Sequence, residues 1–525
     1  MAMDEGGTGS PPVQILRPES SITSEESVRE KLISAASIFA DLVRPTYGPK
    51  GLDKMLYKSN GEAAITNDGA KIVSELMVKH PAAKAFVSLG QSQESAAGDG
   101  VTGCLLFAGA LMYEAGLLIN KGLHPLVIIE GYQEACDIAI SKINNLNIKC
   151  NDEGLFNVAK TSLTGKITTG SSKEIAEIVV EAIKQIKNSS VCISENVLMA
   201  KSTNNTPMSL ELIKGIILEK RVHLDKTPSK LEDCRVALLN TELGFKKPSR
   251  DSEIEINTPE ELTKFIENED KQIEKTIQKL IKLNVNAVFS TGEINKEILH
   301  ALLSKNIFAL GNLESQELIS ISRATQATTC PRIEDLTETE LGLIGFLKTE
   351  TTNKDEEIKQ RIIIGGCKNT EIITIDVGGS DDLVVEETIR SIHDSVKSTC
   401  LAAQTKNIVR GGGNPHSLAS IEIMLAADSK QGRERLGMEG FARALETIPA
   451  TLAANAGKSS LDKVIELRSR LKNETTELGI NFEGEISLIN SVFEPTDSLT
   501  HSIILATETV IGLLRVDQLI SARGD

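Results

Sequence analysis

Tryptophan is absent, and aromatic residues make up only 3% of the 525-residue chain. Stacking platforms for nucleobases are therefore scarce, and the interior must be built mostly of Leu, Ile, Val and Ala. Positive charge is also short. Lys and Arg number 57 against 73 Asp and Glu, a net charge of −16, which argues against nucleic acid as the main partner. The eight cysteines are scattered, with no C-x-x-C and no close Cys/His cluster. That favours free thiols in a reducing compartment over disulfides or zinc. No run of about 18 or more residues reads as apolar enough to span a membrane. Residues 1–12 are rich in Gly, Ser and Pro with acidic Asp4 and Glu5. Lacking a basic region and an apolar core, they are expected to be a disordered tail and not a signal peptide. The motif G-x-x-x-x-G-K-[ST] is missing too. Its nearest look-alike, Leu163-Thr164-Gly165-Lys166, lacks the first glycine and the following hydroxyl, which excludes a P-loop NTPase.

What is present is a long chain, enough for roughly three domains at ~150 residues each. Its organising stretch is Gly98-Asp99-Gly100-Val101-Thr102-Gly103. A helical pattern precedes it over 81–93, and an apolar run from Cys104 continues helically to Asn120. A donor-rich loop thus opens onto a helix N-terminus, which suits phosphate. The hexapeptide matches G-x-G-x-x-G, but a dinucleotide fingerprint needs a strand before it and an acidic residue about 20 positions on. Here a helix precedes it and more helix follows. Asp99 among phosphate-binding amides makes sense if a divalent cation sits between them. The stretch reads as a Mg-nucleotide loop, with a plain glycine-rich helix corner as the alternative.

The first ~145 residues are expected to be helical. Thr23-Ser24-Glu25-Glu26 is a capping-box start, and Val28, Leu32, Ala35, Ala36, Phe39 and Val43 share one helix face. Two more glycine-bearing corners follow, Tyr47-Gly48-Pro49-Lys50-Gly51 and Asn67-Asp68-Gly69. Taken alone the first is a turn, and Asp68 a turn residue or helix cap. Residues 63–66 read as a strand and 70–78 as a helix. From 151 to about 204 the chain reads as helical, interrupted by a hydroxyl-rich turn ending in Lys166. Then short apolar units alternate: strands at 234–239, 286–290 and 307–310, and helices at 258–283 and 294–304. That order means a βαβ domain with parallel pairing. The Lys/Pro/Ser-rich excursion at 243–257 reads as a protruding loop or hairpin. Strands follow at 362–364 and 372–377, then a helix capped by Ser380 or Asp381 and carrying Val384, Val385, Ile389, Ile392 and Val396. On it Asp394 lies four residues after Arg390, the spacing of a solvated ion pair. Gly411-Gly412-Gly413 is another corner opening a helix, and the remainder is mainly helical.

Gly48-Pro49-Lys50-Gly51-Leu52-Asp53-Lys54-Met55-Leu56, Thr66-Asn67-Asp68-Gly69-Ala70, Gly98-Asp99-Gly100-x-Thr102, Ser391-Ile392-His393-Asp394, Gly411-Gly412-Gly413 and Leu452-Ala453-x-Asn455-Ala456-Gly457 stand in one order at one set of spacings. Together they resemble a group II chaperonin subunit, the family of the archaeal thermosome and the eukaryotic cytosolic chaperonin. Within it, 107–111, 129–136 and 515–518 most resemble the theta subunit, while 506–510 resembles delta and others.

The resemblance implies a multi-domain α+β architecture. It has a helical equatorial domain (1–145 and 404–525), a small intermediate domain (146–205 and 365–403), and an α/β apical domain (206–364) with a helical protrusion at 243–262. It also implies ATP and Mg²⁺ as cofactors. The expected partners are other subunits in a stacked double ring, hetero-oligomeric with eight per ring, and unfolded cytoplasmic client proteins. Nucleic acid and membrane are not expected partners. Carried over, Tyr47, Gly48 and Pro49 form a phosphate-contacting loop. Asp99 is the metal ligand, and Gly100, Val101, Thr102 and Gly103 hold phosphate. Asp68 and Asp394 activate the attacking water, Lys166 senses the γ-phosphate, and Gly412 lies beside the nucleoside. Val101 and Gly103 stand where hydroxyls are usual. Gly484-Glu485-Ile486-Ser487-Leu488-Ile489 stands where an aspartate for the ribose is common. These departures suggest the alternative of a ring subunit with weakened turnover, acting in assembly and substrate contact.

Overall fold

The computed structural model describes residues 22–23, 25–57, 63–76, 78, 80–166, 172–187, 194–202, 209–221, 228–243, 271, 273–354, 357–379 and 381–520. The expected tail at 1–12, Ser24 of the capping box, the helix start at 258–261 and nearly all of the protrusion at 243–262 lie outside the described residues. The chain divides into two compact units. Unit 1 comprises Met1–Cys150 and Asn407–Asp525, and unit 2 comprises Asn151–Lys406.

The first segment of unit 1 runs β1 (Ile22–Thr23), α1 (Glu25–Val43), β2 (Lys54–Tyr57), β3 (Ala63–Thr66), α2 (Gly69–Ser74), α3 (Pro81–Ala97), α4 (Val101–Asn120), α5 (Pro125–Asn145) and β4 (Ile148–Lys149). Helix α1 buries Val28, Leu32, Ala36, Phe39 and Val43, the stripe its 3.6-residue period predicts. Pro45 opens a short 3-10 turn, Arg44–Thr46, that ends the helix. Helices α3 and α5 each begin with a proline at N1 behind a histidine cap.

The structure corrects the membrane expectation at α4. With 20 residues and a mean hydropathy of 1.6, α4 is long and apolar enough to cross a membrane. Its buried side chains, Cys104, Leu105, Leu106, Phe107, Leu111 and Met112 among them, instead belong to the core of unit 1. A helix apolar on all sides suits a position surrounded by other helices.

Unit 2 runs α6 (Asp152–Leu163), α7 (Ser172–Lys187), β5 (Val197–Lys201), β6 (Ser209–Ile213), β7 (Ile216–Leu218), β8 (Lys230–Leu239), a helix α8 over 273–282, β9 (Ala287–Ser290), α9 (Lys296–Ser304), β10 (Phe308–Leu310), α10 (Ser315–Thr325), β11 (Thr329–Cys330), β12 (Gly342–Lys354), β13 (Glu357–Gly365), β14 (Ile373–Gly378) and α11 (Asp382–Thr405). Strands β8, β9 and β10 pair in parallel as expected. The sheet then continues antiparallel through β12, β13 and β7, so it is mixed. Along β8 alternate residues enter opposite cores. Val236 and Leu238 join one cluster while Ala237 and Leu239 join the other, so both faces are covered. A second sheet, ordered β5-β14-β6, places β5 inside the stretch read as helical. On α11 the cap is Asp381, whose carboxylate accepts from Leu383 N. Of the apolar residues it carries, Val384 is exposed and Val385, Ile392 and Val396 are buried.

The second segment of unit 1 runs β15 (Asn407–Arg410), α12 (Asn414–Asp428), α13 (Glu434–Leu445), α14 (Thr447–Asn455), α15 (Ser460–Asn473), β16 (Leu478–Ile480), β17 (Ile486–Leu488), β18 (Phe493–Pro495), α16 (Thr496–Leu514) and β19 (Leu519–Ile520). It pairs with the first segment at β15–β4 and β1–β19. Met438, Phe441 and Ile503 from this segment share one core with Phe86, Phe107 and Tyr132 from the first.

Candidate functional site

In unit 1 the glycine corners and their acidic residues converge. Gly48 has φ +83°, and a Cβ there would collide with Leu452 Cδ2. Only glycine fits this left-handed, close-packed position. With Pro49 behind it, Gly48 accepts from Gly51 N at 2.9 Å, which closes the turn. Asn455 holds the approach, its amide donating to the Arg44 and Tyr47 carbonyls. The second corner starts α2. The Asp68 carboxylate caps that helix by accepting from Ala70 N and Lys71 N at 3.1 and 3.2 Å.

At the third corner Gly98 and Gly100 both take the left-handed conformation, ending α3 and starting α4. Asp99 Oδ1 accepts from Gly100 N at 2.8 Å. The α4 N-terminus receives no side-chain cap, so the first-turn N–H groups of Val101, Thr102 and Gly103 point outward along the positive end of the helix dipole. Buried Gln93 fixes the loop, donating to the Asp99 and Ser498 carbonyls at 3.1 and 3.2 Å. The corners touch one another. A Cβ on Gly69 would stand 2.5 Å from Thr102 Oγ1, and one on Gly103 would stand 3.5 Å from the Tyr47 ring.

The fourth corner joins through Glu494. A Cβ on Gly411 would lie 3.1 Å from Glu494 Oε1, and Gly412, φ +66°, accepts from Ile480 N at 2.9 Å. Burial, then the neighbouring Asp99 charge, pushes the Glu494 carboxyl up to about 7. Burial and the charges of Glu494 and Asp99 push the Tyr47 phenol well above its ordinary value.

Lys166 and Asp394 belong to unit 2. Gly165, φ +88°, turns the chain after α6, and Lys166 Nζ donates to Asp394 Oδ2 at 2.8 Å. The pair has side-chain exposures of only 17% and 8%. It is anchored where α11 packs on α6, with Ser395 Oγ donating to the Ala159 carbonyl at 3.1 Å. This corrects the solvated i,i+4 reading, because Arg390 bonds Glu387 on its own helix.

The family model described as the TCP-1/cpn60 chaperonin family matches residues 39–524. The chain belongs to that family. Thermosome subunit beta of Archaeoglobus fulgidus is 34% identical over 523 residues, covering 98% of this chain and 95% of the relative. A thermosome subunit of Methanocaldococcus jannaschii is 35% identical over 499 residues, covering 93% and 91%. Thermosome subunit alpha of Halobacterium salinarum is 32% identical over 520 residues, covering 98% and 92%. The chain is a group II chaperonin subunit.

Two residues of the chaperonin site escape a motif-based reading, Gln93 and Glu494, and the motif that holds Asn455 does not reveal that residue's partners. Gln93 bonds Ser498, 405 positions away, besides Asp99 nearby, and Asn455 bonds partners 411 and 408 positions away. The available signal was a fully polar Gln inside the Ala/Leu/Val pattern of α3, which demands a buried partner. Among the described residues no group of three or more His, Cys, Asp or Glu could hold a metal ion. One carboxylate beside the first-turn amides of a helix is instead a donor set that magnesium could share with phosphate oxygens.

Proposed function

We propose that this chaperonin subunit binds Mg-ATP at the converged corners of unit 1 and hydrolyses it to drive the folding of enclosed client proteins. The observation that carries the reading is the contact between the Asn67-Asp68-Gly69 corner and the Gly98–Gly103 loop. It sets two carboxylates, Asp68 and Asp99, beside an uncapped helix N-terminus. In this reading Tyr47, Gly48 and Pro49 flank the phosphates, and Gly100, Val101, Thr102 and Gly103 bind them. Gly412 lies beside the nucleoside. Asp99 holds Mg²⁺, which when bound offsets charge on the phosphate oxygens. Asp68 and Asp394 orient and deprotonate the attacking water. Lys166 holds Asp394 until the γ-phosphate offers the lysine a stronger acceptor, so turnover waits on that release.

The same reading divides the chain into an equatorial domain (1–145, 404–525), an intermediate domain (146–205, 365–403) and an apical domain (206–364). It places the subunit with others of its kind in a cytoplasmic double ring, eight per ring and hetero-oligomeric. The test is phosphate release by the purified native assembly carrying Asp394→Ala. Turnover at this subunit's own sites should fall at least about a hundredfold, the scale of a lost general base, so that phosphate release by the whole assembly loses this subunit's share while Mg-ADP still binds. Unchanged turnover would sink the proposal.

A further inference from the structure

The first turn of α4 is poor in side-chain donors for an anion. Val101 is apolar and buried, Gly103 has no side chain, and the Thr102 hydroxyl faces Gly69. Two hydroxyls from elsewhere in the fold lie near this turn: Ser498 Oγ, 3.6 Å from the place a Cβ at 100 would occupy, and that of Tyr47, which stands over position 103. Tyr47 lays its ring on Gly103, with its hydroxyl oxygen and Cε2 each 3.5 Å from the place a Cβ at 103 would occupy. A side chain at 103 and the Tyr47 side chain therefore address the same space. The backbone of Tyr47 is fixed on both sides. Its N–H donates to the Arg44 carbonyl at 3.2 Å, and its own carbonyl accepts from Asn455 at 2.8 Å. Burial and the nearby Glu494 and Asp99 charges keep the phenol protonated. It is thus a donor across the physiological range.

We propose that the Tyr47 hydroxyl donates a hydrogen bond to a phosphoryl oxygen of the bound nucleotide, supplying the side-chain donor that position 103 lacks. This rests on the nucleotide reading of the site and adds a named phosphate contact to it. The acceptor is doubly suited. A phosphoryl oxygen is charged, and hydrogen bonds to charged acceptors are among the stronger ones. A phenol also reaches it without adding a positive charge next to the cation that Asp99 is placed to hold.

The test uses the full chain in its native assembly, titrated calorimetrically with Mg-ADP and separately with Mg-tripolyphosphate, which has no nucleoside. Tyr47→Phe removes one oxygen and keeps the ring. At this subunit's own sites, seen as a separate weaker phase of the isotherm, it should weaken both ligands about tenfold, as expected for one lost bond to a charged acceptor. Gly103→Ser in the Tyr47→Phe background should restore most of the loss, because a Cβ there makes only ordinary contact with the ring. Equal affinities in wild type and Tyr47→Phe would overturn the proposal. So would a loss seen with Mg-ADP but not with Mg-tripolyphosphate, which would put the effect at the nucleoside. If Tyr47→Phe lowers the ligand-free melting temperature, the double variant decides: restored affinity supports the contact, and unrestored affinity overturns it. A wild-type assembly that takes up neither ligand would overturn the nucleotide reading itself, and the contact with it.

Discussion

The Asn455 side chain donates from one nitrogen to two carbonyls, Arg44 O at 2.9 Å and Tyr47 O at 2.8 Å. The end of α14 thereby sets the conformation of the Tyr47-Gly48-Pro49 turn. Asn455→Ala leaves both carbonyls to find water, at a cost of about 1–3 kcal/mol. We expect weaker Mg-ADP binding together with a lowered melting temperature. Asn455→Asp should be worse, because it puts a carboxylate oxygen against two carbonyl oxygens. Calorimetric titration of the two variants checks the order.

Arg361 and Asp376 form a buried ion pair between the two sheets of unit 2, β13 to β14, at 2.6 Å. Removing one partner strands the other charge, and such losses run to about 3–5 kcal/mol. Arg361→Met alone should therefore lower the melting temperature sharply. Arg361→Met with Asp376→Leu should recover most of it, since an apolar pair of similar volume avoids the desolvation cost. Thermal unfolding of the single and double variants separates these outcomes.

His416 lies one turn into α12. Burial pushes its imidazole down to about 4 from the ordinary 6.5, and its Nδ1 has no hydrogen-bond partner. The folded state resists taking up a proton that the unfolded chain accepts readily. Stability from this group is complete above pH 6.5 and is lost as pH falls toward 4. Between pH 7 and pH 5 the loss amounts to about 2 kcal/mol. His416→Gln should flatten the fall in melting temperature over that window relative to wild type; parallel curves would refute the assignment.

Gly131 on α5 and Gly437 on α13 let two helices approach closely. A Cβ on Gly131 would meet the Glu434 carbonyl and lie 2.9 Å from Gly437 Cα. These are backbone atoms that cannot swing aside, so Gly131→Ala should destabilise by about 1–3 kcal/mol through overpacking. Gly122→Ala, where nothing lies within 4 Å, is the control. It should show only the smaller cost of a side chain at φ +83°. Comparing the two melting temperatures tests the packing account.

Periodicity and punctuation were enough to read α1, α4 and the parallel strands β8, β9 and β10, because each buries a face set by its own residues. Strand β5 was not legible. Val197-Leu198-Met199-Ala200-Lys201 holds good helix formers, and its extended state comes from pairing with β14, a tertiary preference that overrides a local one. The antiparallel half of the large sheet was hidden for a similar reason. Strand β12 is rich in Thr and Lys toward its end, and its neighbours decide its partners. At the site, the glycines and acids are local signals and could be read. Gln93, Asn455 and Glu494 act across hundreds of residues on groups that no spacing rule connects.

Unit 1 is closed only by the last segment of the chain, and this has a consequence during synthesis. Helix α4 leaves the ribosome early, but its neighbours α13 and α16 follow only after all of unit 2. At roughly 5–20 residues per second, one of the most apolar helices, packed until then mainly on α1 and α3, waits tens of seconds for the rest of its cover. A nascent chain in that condition leaves part of a hydrophobic helix uncovered, the kind of surface a chaperonin exists to shield. For a time, then, this subunit stands in the position of a client.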